Sequence, residues 1–143
     1  IWKRTAAPPA MELLNAPSRE VACVRRDRTN TPLQALVMLN EPLFMEASRQ
    51  LAGRALREST KIDARLDVIS LRLLGRTFAK AERAVLRRTL DDALATYRRD
   101  ASAARQVLSI GASVADPTLP AAELAAWTVV ASQVLNLDES LTK

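Results

Sequence analysis

The stretch that decides the fold of this chain is residues 25–42, RRDRTNTPLQALVMLNEP. Thr31 is suited to cap a helix that begins at Pro32, because its side-chain oxygen can accept a backbone N–H of the first turn and proline fits the first helical position. Gln34 follows Thr31 at the spacing of a capping box. Asn40 is a second candidate cap, shortly before another proline. The stretch therefore predicts a short helix followed directly by a new one.

Downstream of this stretch, apolar residues recur every three or four positions, which is the period of an amphipathic helix. A second helix is predicted to restart after Asn40 and to continue to about residue 58, a third to carry Ile62, Leu66, Ile69 and Leu73, and a fourth to run from about residue 80 to 99. A short fifth helix is predicted over residues 101–110, and the last one starts near Pro120 and ends at residues 136–139. Gly75 and Gly111 stand where a left-handed residue would end a helix. With the short first helix this makes about six helices. We expect an all-α fold, either an antiparallel bundle or an orthogonal array.

The core is expected to form on apolar stripes of these helices. The predicted stripes are Phe44, Ala47, Leu51 and Ala55 in the second helix and Leu124, Trp127, Ala131 and Val134 in the last one. Aromatic residues are only 3% of the chain while 48% is hydrophobic, so the core must consist mainly of aliphatic side chains. That composition also favours helices.

Residues 1–30 are predicted to form an extended arm that packs on the helical domain of residues 31–143. Three prolines interrupt short apolar pieces in this part of the chain, which argues against long regular structure. Residues 20–25 are its only strand-like run, and the free Cys23 within it is expected to be a small buried apolar residue. At 143 residues the chain is expected to be one domain, and a fragment of a larger protein.

The chain is basic, with a net charge of +5 and a pI near 10.1. Acidic residues are interspersed with the basic ones, and Arg87 and Asp91 are four residues apart, where opposite charges meet on a helix. We therefore expect a solvated surface with salt bridges and no nucleic-acid partner. The alternative is a polyanion-binding surface, for which the candidate residues are Arg49, Arg54, Arg57 and Lys61.

Several catalytic chemistries are excluded within this chain by residue types. It has no histidine and a single cysteine, so it cannot contain a Ser-His-Asp or Cys-His site, a Cys-x-x-Cys motif or a covalent haem attachment. We expect no cofactor in this chain and lean towards a protein without enzymatic activity. A pair drawn from Glu20, Asp27, Glu41 and Glu46 remains a possible acid–base pair of the glycosidase type. No apolar run approaches the roughly 18 residues of a membrane span.

Four polar residues before the first helix are the candidate binding residues: Arg25, Arg26, Arg28 and Asn30. Cations are not favoured at a helix N-terminus, where the dipole attracts anions, so this cluster needs another explanation. The arginines either pair with internal carboxylates and lock the arm to the helices, or they bind an anionic group together with free backbone donors.

The order of several motifs resembles a planctomycete-type domain of unknown function, the domain-of-unknown-function 1553 family. The matching pieces are residues 2–4, residues 16–20, the block from Arg28 to Leu36, residues 40–42 and the ending around Trp127 and residues 135–139. The resemblance implies the C-terminal portion of a domain in large exported proteins, with a cytochrome-c-like segment upstream. One departure is Ala79, which stands where the family pattern implies a Ser or Thr cap before the fourth helix, so that helix start should be weaker by about 1 kcal/mol.

Two hypotheses on function follow from these observations. The first is a non-catalytic structural or docking module that binds the upstream domains of its parent protein. The alternative is a part of a polysaccharide or sulfated-glycan processing protein, in which the cluster from Arg25 to Arg28 would hold an anionic group.

Overall fold

The computed structural model of this chain describes residues 8–17, 24–25, 29 and 31–141. The helices in these ranges are α1 (Pro9–Leu13), α2 (Pro32–Asn40), α3 (Pro42–Glu58), α4 (Ile62–Leu73), α5 (Lys80–Arg99), α6 (Ala101–Leu108), α7 (Ala121–Leu135) and α8 (Asp138–Leu141). No β-strand occurs among the described residues. The predicted all-α fold with bundle-like packing is confirmed.

Helix α7 is the centre of this bundle. It packs against α3 on one side and α5 on another, and it also contacts α2, α4, α6 and α8. Its stripe of Leu124, Trp127, Ala131 and Val134 is buried, as predicted, but so are residues on its other sides, including Ala125, Ala126 and Val130. The small alanines allow several helices to approach α7 closely. The helix is therefore enclosed and is not simply amphipathic.

The predicted stripe of α3 is correct at Ala55, which is buried, and at Leu51, which packs against the core, but it is wrong at Ala47. Ala47 is exposed, whereas Ser48 and Arg49 are buried beside Ala52 and Ala55. The polar pair can lie inside because the Ser48 hydroxyl donates to the carbonyl of Phe44 at 2.8 Å, and the Arg49 guanidinium donates to carbonyls of a distant loop. Hydrogen bonds to buried partners thus override the simple apolar pattern.

Asn40 was predicted to cap the second helix, and this prediction is wrong. Asn40 is the last residue of α2, and its side-chain amide donates to the carbonyl of Leu36 at 2.8 Å. Glu41 lies between the two helices in an extended conformation, with φ −69° and ψ 125°. The reason is Pro42, which disfavours helical geometry in the residue directly before it.

The N-terminal arm is not extended throughout, because Pro9 begins the short helix α1. Proline at the first helical position is compatible with that start. Val24 and Arg25 are the described residues of the predicted strand-like run, and both lie in a bend. The other four residues of that run, including Cys23, lie outside the described residues.

Other helix ends follow the sequence closely. Gly75 has φ 72°, and its N–H donates to the carbonyl of Ser70 at 3.2 Å, so it closes α4 as predicted. Gly111 has φ 98° and follows α6. Helix α8 was not predicted. It is joined to the rest of the bundle by Glu139, which accepts from the Arg76 guanidinium at 2.7 Å.

Candidate functional site

The structure describes one of the four residues of the predicted anion-binding cluster. Arg25 lies on an exposed bend, and Arg26, Arg28 and Asn30 lie outside the described residues. The described residues therefore do not test whether these four side chains lie together, and the anion site stays a prediction. Glu20 and Asp27 of the proposed carboxylate set also lie outside the described residues.

The residues that follow this cluster are occupied in holding the arm and starting α2. Thr31 Oγ1 accepts the Gln34 backbone N–H at 3.2 Å, and Gln34 Oε1 accepts the Thr31 N–H at 2.9 Å, which is a capping box. Gln34 Nε2 also donates to the Leu13 carbonyl at 2.7 Å and to Thr29 Oγ1 at 2.8 Å. Gln34 is only 4% exposed. The buried side-chain amide of Gln34 thus joins the N-terminal arm to helix α2.

Helix α2 presents its leucines to solvent. Gln34 and Met38 form the buried side of the helix. Leu33, Leu36 and Leu39 are 54%, 57% and 42% exposed. With 3.6 residues per turn, Leu36 points about 180° away from the middle of the buried side. We call Leu33, Leu36 and Leu39 the leucine face.

The leucine face carries no charge of its own. None of the nine residues of α2, PLQALVMLN, has an ionisable side chain. Leu43, in the first turn of α3, extends the run of exposed leucines with 66% exposure. A solvent-exposed helix usually turns charged or polar residues outward. In α2 the outward side is at least as apolar as the inward side.

A second polar cluster joins α3 to the loop between α6 and α7. The buried Arg49 guanidinium donates to the carbonyls of Leu108, Ile110 and Ser113, the latter two at 2.6 Å each. Glu46 accepts the N–H groups of Ala112 at 2.7 Å and Ser113 at 3.0 Å. Hydrogen bonds from Ser113 and Ala112 hold the pKa of Glu46 below its ordinary value. The cluster fixes the loop on α3.

The prediction that Arg49 belongs to a polyanion-binding surface is therefore wrong. The residue is 2% exposed, and its guanidinium N–H groups donate to the loop. Arg54 and Arg57, from the same predicted set, pair with Glu58 at 2.7 Å and Asp116 at 2.8 Å. Sequence spacing could not distinguish the buried arginine from the exposed ones. Nothing in the local pattern marked Arg49 as buried, because its partners Leu108, Ile110 and Ser113 lie about 60 residues away.

Further arginines form ion pairs between elements. Arg87 Nη2 contacts Asp63 of α4 at 2.5 Å, so its closest partner is a neighbouring helix and not the predicted Asp91. Arg76 bridges Glu82 and Glu139 at 2.8 Å and 2.7 Å. Hydrogen bonds from Arg76 and from the Ala79 N–H lower the pKa of Glu82 to about 2. These contacts are those of a salt-bridged surface.

Glu46 does not show the environment of a catalytic acid. Glu46 is committed to the loop as an ionised acceptor, which is the opposite of a carboxyl group kept protonated by burial. Among the described residues, no three His, Cys, Asp or Glu side chains lie together as metal ligands. In the same part of the chain, none of the helices has the length and apolar character needed to cross a bilayer.

Comparisons with known proteins place the chain in a family. The family model PSD1, described as a protein of unknown function (DUF1553), matches residues 1–90. The match covers α1 to α4 and the first half of α5, and so includes the leucine face and Arg49. No curated protein and no solved structure matched the chain. Because the match spans more than half of its residues, the chain belongs to the PSD1 (DUF1553) family of proteins of unknown function.

Proposed function

We propose that this domain is a non-catalytic docking module of a larger exported protein, and that the leucine face of α2 binds another part of that protein. The observation that carries the proposal is the orientation of α2, whose three exposed leucines lie opposite its buried glutamine and methionine. The exported location and the upstream partner rest on the family resemblance.

The exposed leucines have an energetic reason to be covered. Burial of apolar surface stabilises a complex by roughly 25 cal/mol for each Å² removed from water. A helix that is apolar on all sides is normally enclosed by other elements. Within this chain α2 is covered on its inner side by α3 and α7, and α1 also contacts it. Among the described residues, the leucines of the outer side remain 42–57% exposed, which leaves them accessible to a partner.

The leucine face is also held in a defined orientation before any partner arrives. The capping box fixes the start of α2, and Met38, at 4% exposure, anchors its inner side. Gln34 binds the arm from the same inner side. A surface that is already ordered loses little conformational entropy on binding, which favours recognition.

The anionic-glycan alternative stays a prediction. Its residues are Arg25, Arg26, Arg28 and Asn30, of which only Arg25 is described. Among the described residues, no observation favours that function over docking.

The test is calorimetric titration of the purified chain with the separately expressed remainder of its parent protein. The double variant Leu33→Ser, Leu36→Ser should weaken binding by about tenfold or more, because burying each leucine side chain is worth about 1.5–3 kcal/mol. The matched control is Leu71→Ser on α4, since Leu71 is 53% exposed but lies on another helix. Equal affinities for the wild type and the double variant would refute the proposal.

A further inference from the structure

We propose that the partner of the leucine face is an amphipathic helix of the same polypeptide, held close by its covalent connection. The inference rests on the docking function proposed above and adds the kind of partner and the way it is held. Three properties of α2 support it: the small size of the face, its helical geometry and its lack of charge.

The size of the face favours a tethered partner. A stable interface between free proteins buries about 800 Å² on each partner. The leucine face offers three side chains, each about half exposed, on a helix of nine residues. A covalent connection supplies an effective concentration in the millimolar range, at which a small contact suffices. Association of two free copies would have no such help.

The geometry of the face favours a helix as its partner. The backbone groups in the middle of α2 are hydrogen-bonded within the helix, so the face has no strand edge on which an extended peptide could add. Leu33, Leu36 and Leu39 follow one another at three-residue spacing and span about 9 Å along the helix axis. Such a ridge packs into the groove of a second helix with apolar residues at i, i+3 or i+4, and i+7.

The absence of charge on α2 favours a protein over a lipid surface. Amphipathic helices that lie on membranes are rich in lysine and arginine on their polar side. Helix α2 has no basic residue, and its other side is buried against the bundle. The leucines therefore suit the apolar stripe of another helix.

Hydrogen exchange of the full-length parent protein tests this inference. We would measure exchange by mass spectrometry for the wild type, Leu36→Asp and the control Leu71→Asp at two protein concentrations. In the Leu36→Asp protein we expect a second segment of the same chain, with helical apolar spacing, to exchange about tenfold or more faster than in the wild type. Leu71→Asp should leave that segment unchanged, and the protection in the wild type should not depend on concentration.

The other outcomes separate this inference from the proposed function. Protection of α2 that appears only at the higher concentration identifies a second copy as the partner and overturns the inference, as does protection that requires added anionic vesicles. A partner segment that responds to Leu36→Asp but has the alternating pattern of a strand overturns the helical partner and leaves docking intact. If no segment outside this domain responds, both the inference and the proposed docking function fail.

Discussion

Helices α7 and α2 are both apolar, yet they differ in how far their side chains are buried. Nine of the fifteen residues of α7 are buried, and six other helices of the same chain surround it. In α2 the buried residues are Gln34 and Met38, while three leucines face solvent. The cover of α7 is built by its own chain, and the outer side of α2 has no such cover among the described residues. The difference separates residues that support the fold from residues available for a partner.

The largest loss of folding stability is expected for a substitution in the core of α7. Leu124→Ala should lower the free energy of unfolding by about 2–5 kcal/mol, because it leaves a cavity in a closely packed core. Leu124 is 1% exposed and belongs to the main apolar cluster. Urea denaturation followed by circular dichroism measures this loss. A loss below about 1 kcal/mol would show that α7 is not the packing centre.

The next effect concerns the polar cluster that holds the loop before α7. Arg49→Met should destabilise the protein by about 1–3 kcal/mol, because it leaves one buried and two partly buried carbonyls without this donor. Those carbonyls belong to Leu108, Ile110 and Ser113. Arg54→Met on the same helix is the control and should cost less than about 1 kcal/mol, because its pair with Glu58 is exposed. Equal losses in the two variants would contradict the structural role assigned to Arg49.

Replacing two different glycines by alanine is expected to change the stability of the protein in opposite directions. Gly111→Ala should destabilise the protein by about 1–2 kcal/mol, because its φ of 98° disfavours a side chain and a Cβ there would lie 2.5 Å from Glu46 Oε2. Gly53→Ala should stabilise α3 by up to about 1 kcal/mol, because the nearest atom to an added Cβ is 3.5 Å away. Thermal denaturation of both variants checks the signs. A stabilising Gly111→Ala would contradict the described loop.

A smaller gain is expected at the start of α5. Ala79 lacks a capping oxygen, and Glu82 supplies only the reverse hydrogen bond, from the Ala79 N–H at 2.7 Å. Ala79→Ser should complete the capping box and raise the free energy of unfolding by about 1 kcal/mol. Ala79→Val is the control and should give no gain. If both substitutions have the same effect, the cap is not formed by the hydroxyl.

The smallest effect on stability is expected on the leucine face. Leu36→Ala in the isolated chain should change the free energy of unfolding by less than about 0.5 kcal/mol, because its side chain already contacts water. The same type of substitution at Leu124 on α7 is the direct counterpart. A loss at Leu36 as large as the loss at Leu124 would remove the distinction between the two helices.

Much of the fold could be predicted from local signals. Proline, glycine and capping residues act within one turn, so the end of α3, the closure of α4 before Gly75 and the bounds of α5 agree with the prediction, and Gly75 and Gly111 adopt left-handed conformations. The prediction of Asn40 as a helix cap failed because Pro42 disfavours helical geometry at Glu41, the residue directly before it. The enclosure of α7 and the burial of Arg49 could not be predicted, because they depend on which distant helices and loops meet there.

The candidate site could be predicted only in part. The leucine face depends on which side of α2 turns inward, and this is decided by the Gln34 amide, whose partners lie 5 and 21 residues away. An available signal was the absence of any charge in residues 32–40. That pattern indicated that polar side chains do not define an outer side of this helix.

The most direct test of the account is the accessibility of Leu36 within the parent protein. In a Cys23→Ser background, the variants Leu36→Cys and Leu71→Cys would be labelled with a thiol reagent, both in this chain alone and in the full-length protein. The account predicts that Leu36→Cys reacts about tenfold or more slowly in the full-length protein, whereas Leu71→Cys reacts at similar rates in both. Equal rates for Leu36→Cys in the two proteins would contradict the claim that the leucine face is covered by another part of the polypeptide.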